Sequence, residues 1–151
     1  QFTQTIAQSL NIQLTEAEAL KCQYGLDGKD AASGKKVFEA LIPPLTDLVE
    51  QIKKHMSYYE SHSGHEHLER PASIQKVILC GGGANLRGLA QFLLRELHKE
   101  VSIGNPWINI LPTSLEELPP LSFAESLRYT TAFGLALRAI ASYDQSSWRN
   151  S

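Results

Sequence analysis

The sequence predicts an α/β fold, a mixed sheet with flanking helices beside a mostly helical subdomain, and three observations carry that prediction. An apolar strand pattern, Ile74 to Cys80, runs into three successive glycines, Gly81, Gly82 and Gly83. Strand and helix patterns then alternate from residue 74 to residue 141, the arrangement in which ligands meet the ends of the strands. The first 60 residues, by contrast, show almost only helical periodicity. The expected organisation is a helical subdomain with a long connecting helix over 1–60, a polar loop over 61–73, and an α/β subdomain over 74–151.

Taken in order, Phe2, Ile6 and Leu10 share one side of a first helix over residues 2–10. Thr15 is placed to cap a second helix that runs to Tyr24 and that Gly25 ends. Asp27 to Ser33 reads as a loop. In the long helix that follows, Leu45, Leu48, Val49, Ile52, Met56 and Tyr59 form a stripe at three-and-four spacing, opposite Glu50, Lys53 and Lys54. Pro43 and Pro44 predict a break or a kink within it.

Ser61 to Ala72 is polar, rich in His and Glu, and reads as a surface loop. Its His62, His65 and His67, with Glu66 and Glu69, lack the ordered elements that metal ligands need, so no metal site is expected. Beyond the glycines, Leu86 to Leu97 reads as a helix with Leu89, Phe92, Leu93 and Leu97 inward. Val101 to Ile103 is a short strand closed by an Asn105-Pro106-Trp107 turn. Trp107 is either an anchor for that turn or a partner contact. Residues 108–122 carry three prolines and little periodicity, whereas Ala124 to Ala141 is apolar around most of a helix, which predicts burial.

With 151 residues, 42% of them hydrophobic, the chain is long enough to bury a real core. A net charge of −2 gives no electrostatic case for nucleic acid or anionic lipid. No apolar run reaches the 18 or so residues of a membrane span, so membrane association is expected through a partner only. Cys22 and Cys80 make no disulfide framework and suit a reducing cytoplasm. The chain begins without Met, inside an amphipathic helix, and is expected to be a fragment.

The glycine turn is where the sequence points to chemistry. Three residues without Cβ atoms let the chain take φ > 0 and let a ligand reach main-chain N–H groups directly. A following helix would aim its positive end at the same place. Two known phosphate motifs fail: the dinucleotide fingerprint needs a third glycine where Leu86 stands, and a P-loop needs Lys where Leu89 follows Gly88.

Val77 to Leu89 resembles the adenosine motif of the actin-like (ribonuclease H-like) ATPase superfamily. With Gly104-Asn105-Pro106-Trp107 and Arg128-Tyr129-Thr130-Thr131-Ala132-Phe133-Gly134-Leu135-Ala136-Leu137-Arg138, the chain resembles the PilM family of that superfamily, actin-like proteins of type IV pilus assembly. Phe2-Thr3, Ile6-Ala7 and the segment from Thr15 to Lys21, followed by Tyr24-Gly25, are similar to the same family. The FtsA family shares the glycine turn and the Ala-Glu-x-x-Lys element; the Asn-Pro-aromatic turn and the final helix favour PilM.

The resemblance implies a second-domain fragment in which Gly81, Gly82, Gly83, Ala84 and Asn85 fall on the adenosine motif. Glu18 and Lys21 fall on the element that in relatives reaches ribose and adenine. It further implies ATP with Mg2+ as cofactor of the full-length protein and none bound by this fragment alone. The phosphate hairpins and the acidic metal ligand of such ATPases correspond to nothing in the chain, so no catalytic residue is assigned and the fragment is expected to be inactive by itself. The implied partner is the cytoplasmic tail of a PilN-like inner-membrane protein, and the implied location is cytoplasmic, at the inner membrane; self-association stays open. The rival readings are an FtsA-like cell-division protein and a scaffold that no longer binds nucleotide.

Three of these residues have local alternatives. Thr15-x-x-Glu18 has the spacing of a capping box, with the Glu18 carboxylate reaching back to the Thr15 N–H, and Lys21 is by default a solvated lysine or a helix pair with Glu18. Asn85 is expected chiefly as the N-cap of the helix over 86–97.

Overall fold

In the α3 helix, Ala32–His62, four side chains at intervals of four residues, Val37, Leu41, Leu45 and Val49, are buried, with Ala40 beside them. A computed structural model describes residues 1–28, 31–62, 73–108, 110 and 121–147, with side chains to residue 141. The long stripe recruits two shorter helices, α1 (Phe2–Leu10) and α2 (Leu14–Tyr24), which pack against α3 and against each other. Ile6, Ala7 and Ala17 are their buried contributions. The C-terminal half of the stripe is less covered than its periodicity implies: Ile52 and Met56 are half-buried and Tyr59 is exposed.

Pro43 and Pro44 do not break α3, which runs through both. Each proline removes a donor and frees the carbonyl four residues earlier, at about 3 kcal/mol or more in a helix interior. Leu41 and Leu45, both fully buried, flank the pair and hold the helical path on either side of it. Pro43 itself is exposed.

β1 (Lys76–Leu79) and β2 (Glu100–Ile103) form a two-stranded sheet. Lys76 Nζ lies 2.6 Å from Glu100 Oε1, and the Gly104 N–H donates to the Leu79 carbonyl at 2.9 Å. Both strands therefore advance in the same direction, and α4 (Leu89–Leu97) is their crossover. The mixed sheet of the sequence prediction is represented, among the described residues, by this parallel pair.

Two compact units emerge, one of residues 1–77 with 86–102, the other of residues 78–85 with 103–151. In the first, Leu89, Leu93 and Leu97 of the expected inward face of α4 are buried and Phe92 is half-buried, while Leu86, ahead of the helix, is buried too. The second holds α5 (Phe123–Ser126), a 3-10 turn over Leu127–Tyr129 and α6 (Thr130–Ser147). Ser122 starts α5 with a reciprocal capping box, its hydroxyl accepting from the Glu125 N–H while the Glu125 carboxylate accepts from the Ser122 N–H.

Burial of the final helix is not observed. Leu127 and Ser126 are buried, but Leu135 is 63% and Ile140 61% exposed. Apolar periodicity reports a surface that avoids water, not the element that covers it. The His-rich segment from residue 63 to residue 72 and most of the proline-rich stretch over 108–122 lie outside the described residues.

In the 151-residue chain, Leu41→Ala or Leu45→Ala is expected to lower stability by about 2–5 kcal/mol, whereas Leu135→Ala changes it by about 0.5 kcal/mol or less. Urea unfolding followed by circular dichroism measures the contrast.

Candidate nucleotide site

α1 and α2 bring Thr3, Glu18 and Lys21 together. Glu18 and Lys21 are one helical turn apart on α2, and the packing of Ile6 and Ala7 with Ala17 sets α1 so that Thr3 meets them. Lys21 Nζ lies 2.6 Å from Glu18 Oε2 and donates to Thr3 Oγ1 at 2.9 Å. The Thr3 hydroxyl in turn donates to Glu18 Oε2. The result is a closed polar triangle, part-buried, with Glu18 46% and Lys21 22% exposed. The Lys21 ammonium holds the Glu18 carboxyl below its ordinary range, the Thr3 hydroxyl adds to the effect, and partial desolvation opposes it.

The capping box expected at Thr15 is absent. α2 starts at Leu14 with Gln13 as N-cap and no side-chain cap, and the Ala17 N–H already donates to the Gln13 carbonyl at 2.9 Å. Thr15 is thereby inside the first turn, and Glu18 is too far along the helix to reach back. The ammonium of Lys21 and the hydroxyl of Thr3 take its carboxylate instead. Nothing local to α2 announces Thr3, which lies 15 residues away in sequence.

The glycine turn belongs to the second unit. After β1, Gly81 takes φ 86°, a left-handed value that a side chain strains to adopt, and Gly82–Asn85 form a 3-10 turn closed by the Ala84 N–H donating to the Gly81 carbonyl at 3.1 Å. Ala84 is buried and anchors the turn. A Cβ on Gly81 or Gly83 would meet no atom within 4 Å, so both face open space. Gly82 differs: a Cβ there would lie 3.1 Å from Arg128 Cγ, 3.7 Å from Cδ and 3.5 Å from Nε. Arg128, on the 3-10 turn before α6, thus rests its stem on the glycine backbone.

Asn85 is not a helix cap. Its Nδ2 donates to the Ala124 carbonyl at 2.7 Å, tying the glycine turn to α5. The helix expected from Leu86 begins at Leu89 instead, with Gly88 at φ 80° as its N-cap. The Arg87 carbonyl accepts from the Leu26 N–H at 2.9 Å and Arg87 Nη1 donates to the Gln23 carbonyl at 2.8 Å, which draws residues 86–88 out of helical geometry. Such a long-range bond has no local sequence signal.

Trp107 is an anchor: its ring packs on Phe133 at 5.1 Å between centroids, and its N–H donates to Asn105 Oδ1 at 3.0 Å within the turn. Among the described residues no group of three or more His, Cys, Asp or Glu side chains is placed to hold a metal. His62 stacks on Tyr58 at 4.0 Å between centroids, while His65, Glu66, His67 and Glu69 lie outside the described residues. Cys22 and Cys80 are free thiols.

Chemically, the glycine turn offers a bare backbone beside a guanidinium, suited to a flat or anionic ligand. The triangle at Thr3 offers a carboxylate able to accept from a hydroxyl. Glu18 and Lys21 fall in the first unit and residues 81–85 in the second.

A family model described as type IV pilus assembly protein PilM matches residues 1–140. Among solved structures, the chain is similar to one in a PilM-PilN type IV pilus biogenesis complex, with 28% identity and a TM-score of 0.64 over 91% of this chain and 35% of that one. It spans about a third of the length of that relative. No curated protein matches the sequence.

Because the Glu18 pKa is lowered from its ordinary 4.5, the triangle's stabilisation is complete above that value and fades as pH falls through the folded-state pKa. Lys21→Met removes the largest cause. Carbon-detected NMR titration is expected to show the Glu18 carboxyl moving up toward its ordinary range in that variant; an unmoved midpoint contradicts the assignment.

Proposed function

Since the chain belongs to the PilM family of type IV pilus assembly proteins, we propose that it forms part of an ATP-binding adaptor of pilus assembly and that its glycine turn receives the adenosine end of the nucleotide. The observation that carries this reading is the turn itself. Gly81 holds a left-handed φ and neither Gly81 nor Gly83 has a neighbour where a side chain would project, so a ligand can lie directly on the main chain. Ala84 and the Asn85 bond to Ala124 keep that surface in place without any help from the ligand.

The same reading gives Glu18 and Lys21 a role in holding the ribose and base. Glu18 already accepts a hydrogen bond from the Thr3 hydroxyl, and a ribose hydroxyl is the same kind of donor. Mg2+ would accompany ATP, but with no acidic cluster among the described residues no ligand to it is assigned, and hydrolysis is assigned to none of these side chains.

The partner in this reading is the cytoplasmic tail of a PilN-like inner-membrane protein. Its support is the solved relative, whose title names a PilM-PilN complex. The adaptor works on the cytoplasmic face of the inner membrane, held there by that partner; no described helix is long and apolar enough to cross a membrane. ATP influences the partner only if it binds the partner-competent state more tightly, and the coupling must then be equal in both directions.

Gly83 is the clean site for a test, because a side chain there collides with nothing in the protein and the backbone needs no positive φ. Gly83→Val in the full-length protein is expected to weaken ATP binding by about tenfold or more at an unchanged melting temperature, since it removes a near-contact surface worth on the order of 1–2 kcal/mol. Calorimetric titration with Mg-ATP decides, and equal affinity sinks the site. Titration of the PilN-like tail with and without Mg-ATP is expected to give one coupling factor, reproduced when ATP is titrated with and without the tail.

A further inference from the structure

We propose that Arg128 is a nucleobase-contacting residue, its guanidinium stacking on the base of the nucleotide that the glycine turn receives; the proposal rests on the nucleotide reading above and assigns a residue to that site from geometry alone.

Arg128 lies 46 residues beyond Gly82 in sequence, yet its Cγ, Cδ and Nε all sit within 3.7 Å of the point where a Gly82 Cβ would be. A side chain at position 82 would therefore displace it. The absence of one lets the arginine stem lie flat on the backbone, which fixes the first half of a side chain otherwise rich in rotamers. Pre-organising the stem in this way lowers the ordering that a ligand must still impose on the head.

No hydrogen bond or salt bridge holds the Arg128 side chain among the described residues. Its interaction with Glu125 is one of charge alone, and that carboxylate is engaged by the Ser122 N–H and hydroxyl at 3.2 and 2.6 Å. A planar cation is left beside two glycines whose outer faces are open. Guanidinium planes stack on aromatic rings and on nucleobases, whereas a phosphate contact would require donors directed at an anion. The open faces of Gly81 and Gly83 and the flat cation beside them present surfaces on which a flat ring can lie.

Two neighbouring arrangements hold this geometry. The Asn85 bond to the Ala124 carbonyl fixes the turn to α5, and buried Ser126 and Leu127 fix the 3-10 turn that carries Arg128. Both anchors belong to the same unit as the glycines.

The test uses the full-length protein and two probes, Mg-ATP and adenosine, with melting temperatures as a check on folding. Arg128→Ala is expected to weaken both probes by the same factor, about tenfold. Arg128→Gln keeps much of the stem on Gly82 and is expected to lose as much, while Arg128→Lys keeps the charge without the plane and regains only part. Unchanged affinity for both probes in Arg128→Ala or Arg128→Gln overturns the proposal. So does a loss confined to Mg-ATP, which makes the contact one with phosphate, and so does full recovery by Arg128→Lys. If the wild-type protein binds neither probe, the nucleotide reading and this proposal fall together. If Gly83→Val abolishes binding while the Arg128 variants match wild type, only this proposal falls.

Discussion

The constraint on which the candidate site depends is the close approach of two backbones, the link after α2 and the three residues before α4. The Leu26 N–H donates to the Arg87 carbonyl at 2.9 Å, and the approach has no space for side chains on either side. A Cβ on Gly25 would fall against Arg87 and one on Gly88 against Asp27 and Leu26. Both glycines also hold positive φ, at 52° and 80°. Steric room and backbone conformation are thus satisfied by the same two residues. Because the chain is pinned here, α4 starts at Leu89, and residues 81–85 form a separate 3-10 turn instead of the first turn of a long helix. The glycine turn is exposed main chain for that reason.

This separation changes the electrostatic argument for the turn. A helix starting at residue 86 would have aimed four free N–H groups and a macrodipole at a ligand beside the glycines. The 3-10 turn supplies a far weaker dipole, and α4 itself starts three residues later behind a left-handed Gly88. In the proposed reading a ligand at the turn is held by contact with flat, uncovered backbone and by neighbouring side chains more than by a helix field, with Arg128 supplying the positive charge that the helix was expected to supply.

Legibility in the sequence followed the range of the interaction. The first helix, the Gly25 stop, the inward face of α4, both strands and the Asn105-Pro106-Trp107 turn are set by patterns within a few residues, and each is found close to its expected place. Assignments that needed to know what lies opposite did not survive. Glu18 had the spacing of a cap but lies beside Lys21 and Thr3, and an ammonium outcompetes a backbone N–H for a carboxylate. Asn85 had the identity of a cap but faces the Ala124 carbonyl. Pro43 and Pro44 carry a local signal for a break or a kink, and of these the break is absent, with buried Leu41 and Leu45 on either side of the pair. Arg128 stands in the sequence only as the first residue of a family-like segment, with no role attached, and its position over Gly82 is what singles it out.

The second unit carries the same lesson in the opposite sense. Its core among the described residues is small, with Ala84, Ser126 and Leu127 buried, while Ile78, Ile103, Leu135 and Ile140 are all exposed. A two-stranded sheet is marginal alone, so the turn at residues 81–85 owes its definition less to the sheet than to polar anchoring. The Asn85 bond to Ala124, the Ser122–Glu125 capping box and the Ser126 hydroxyl bond to the Phe123 carbonyl lie in succession along one short stretch of chain. Hydrogen bonds are directional where apolar contact is not, and these bonds together position α5 and the 3-10 turn after it that carries Arg128, with little dependence on how fully the apolar faces are covered. The placement of Arg128 over Gly82 can therefore hold even where the surrounding core is thin.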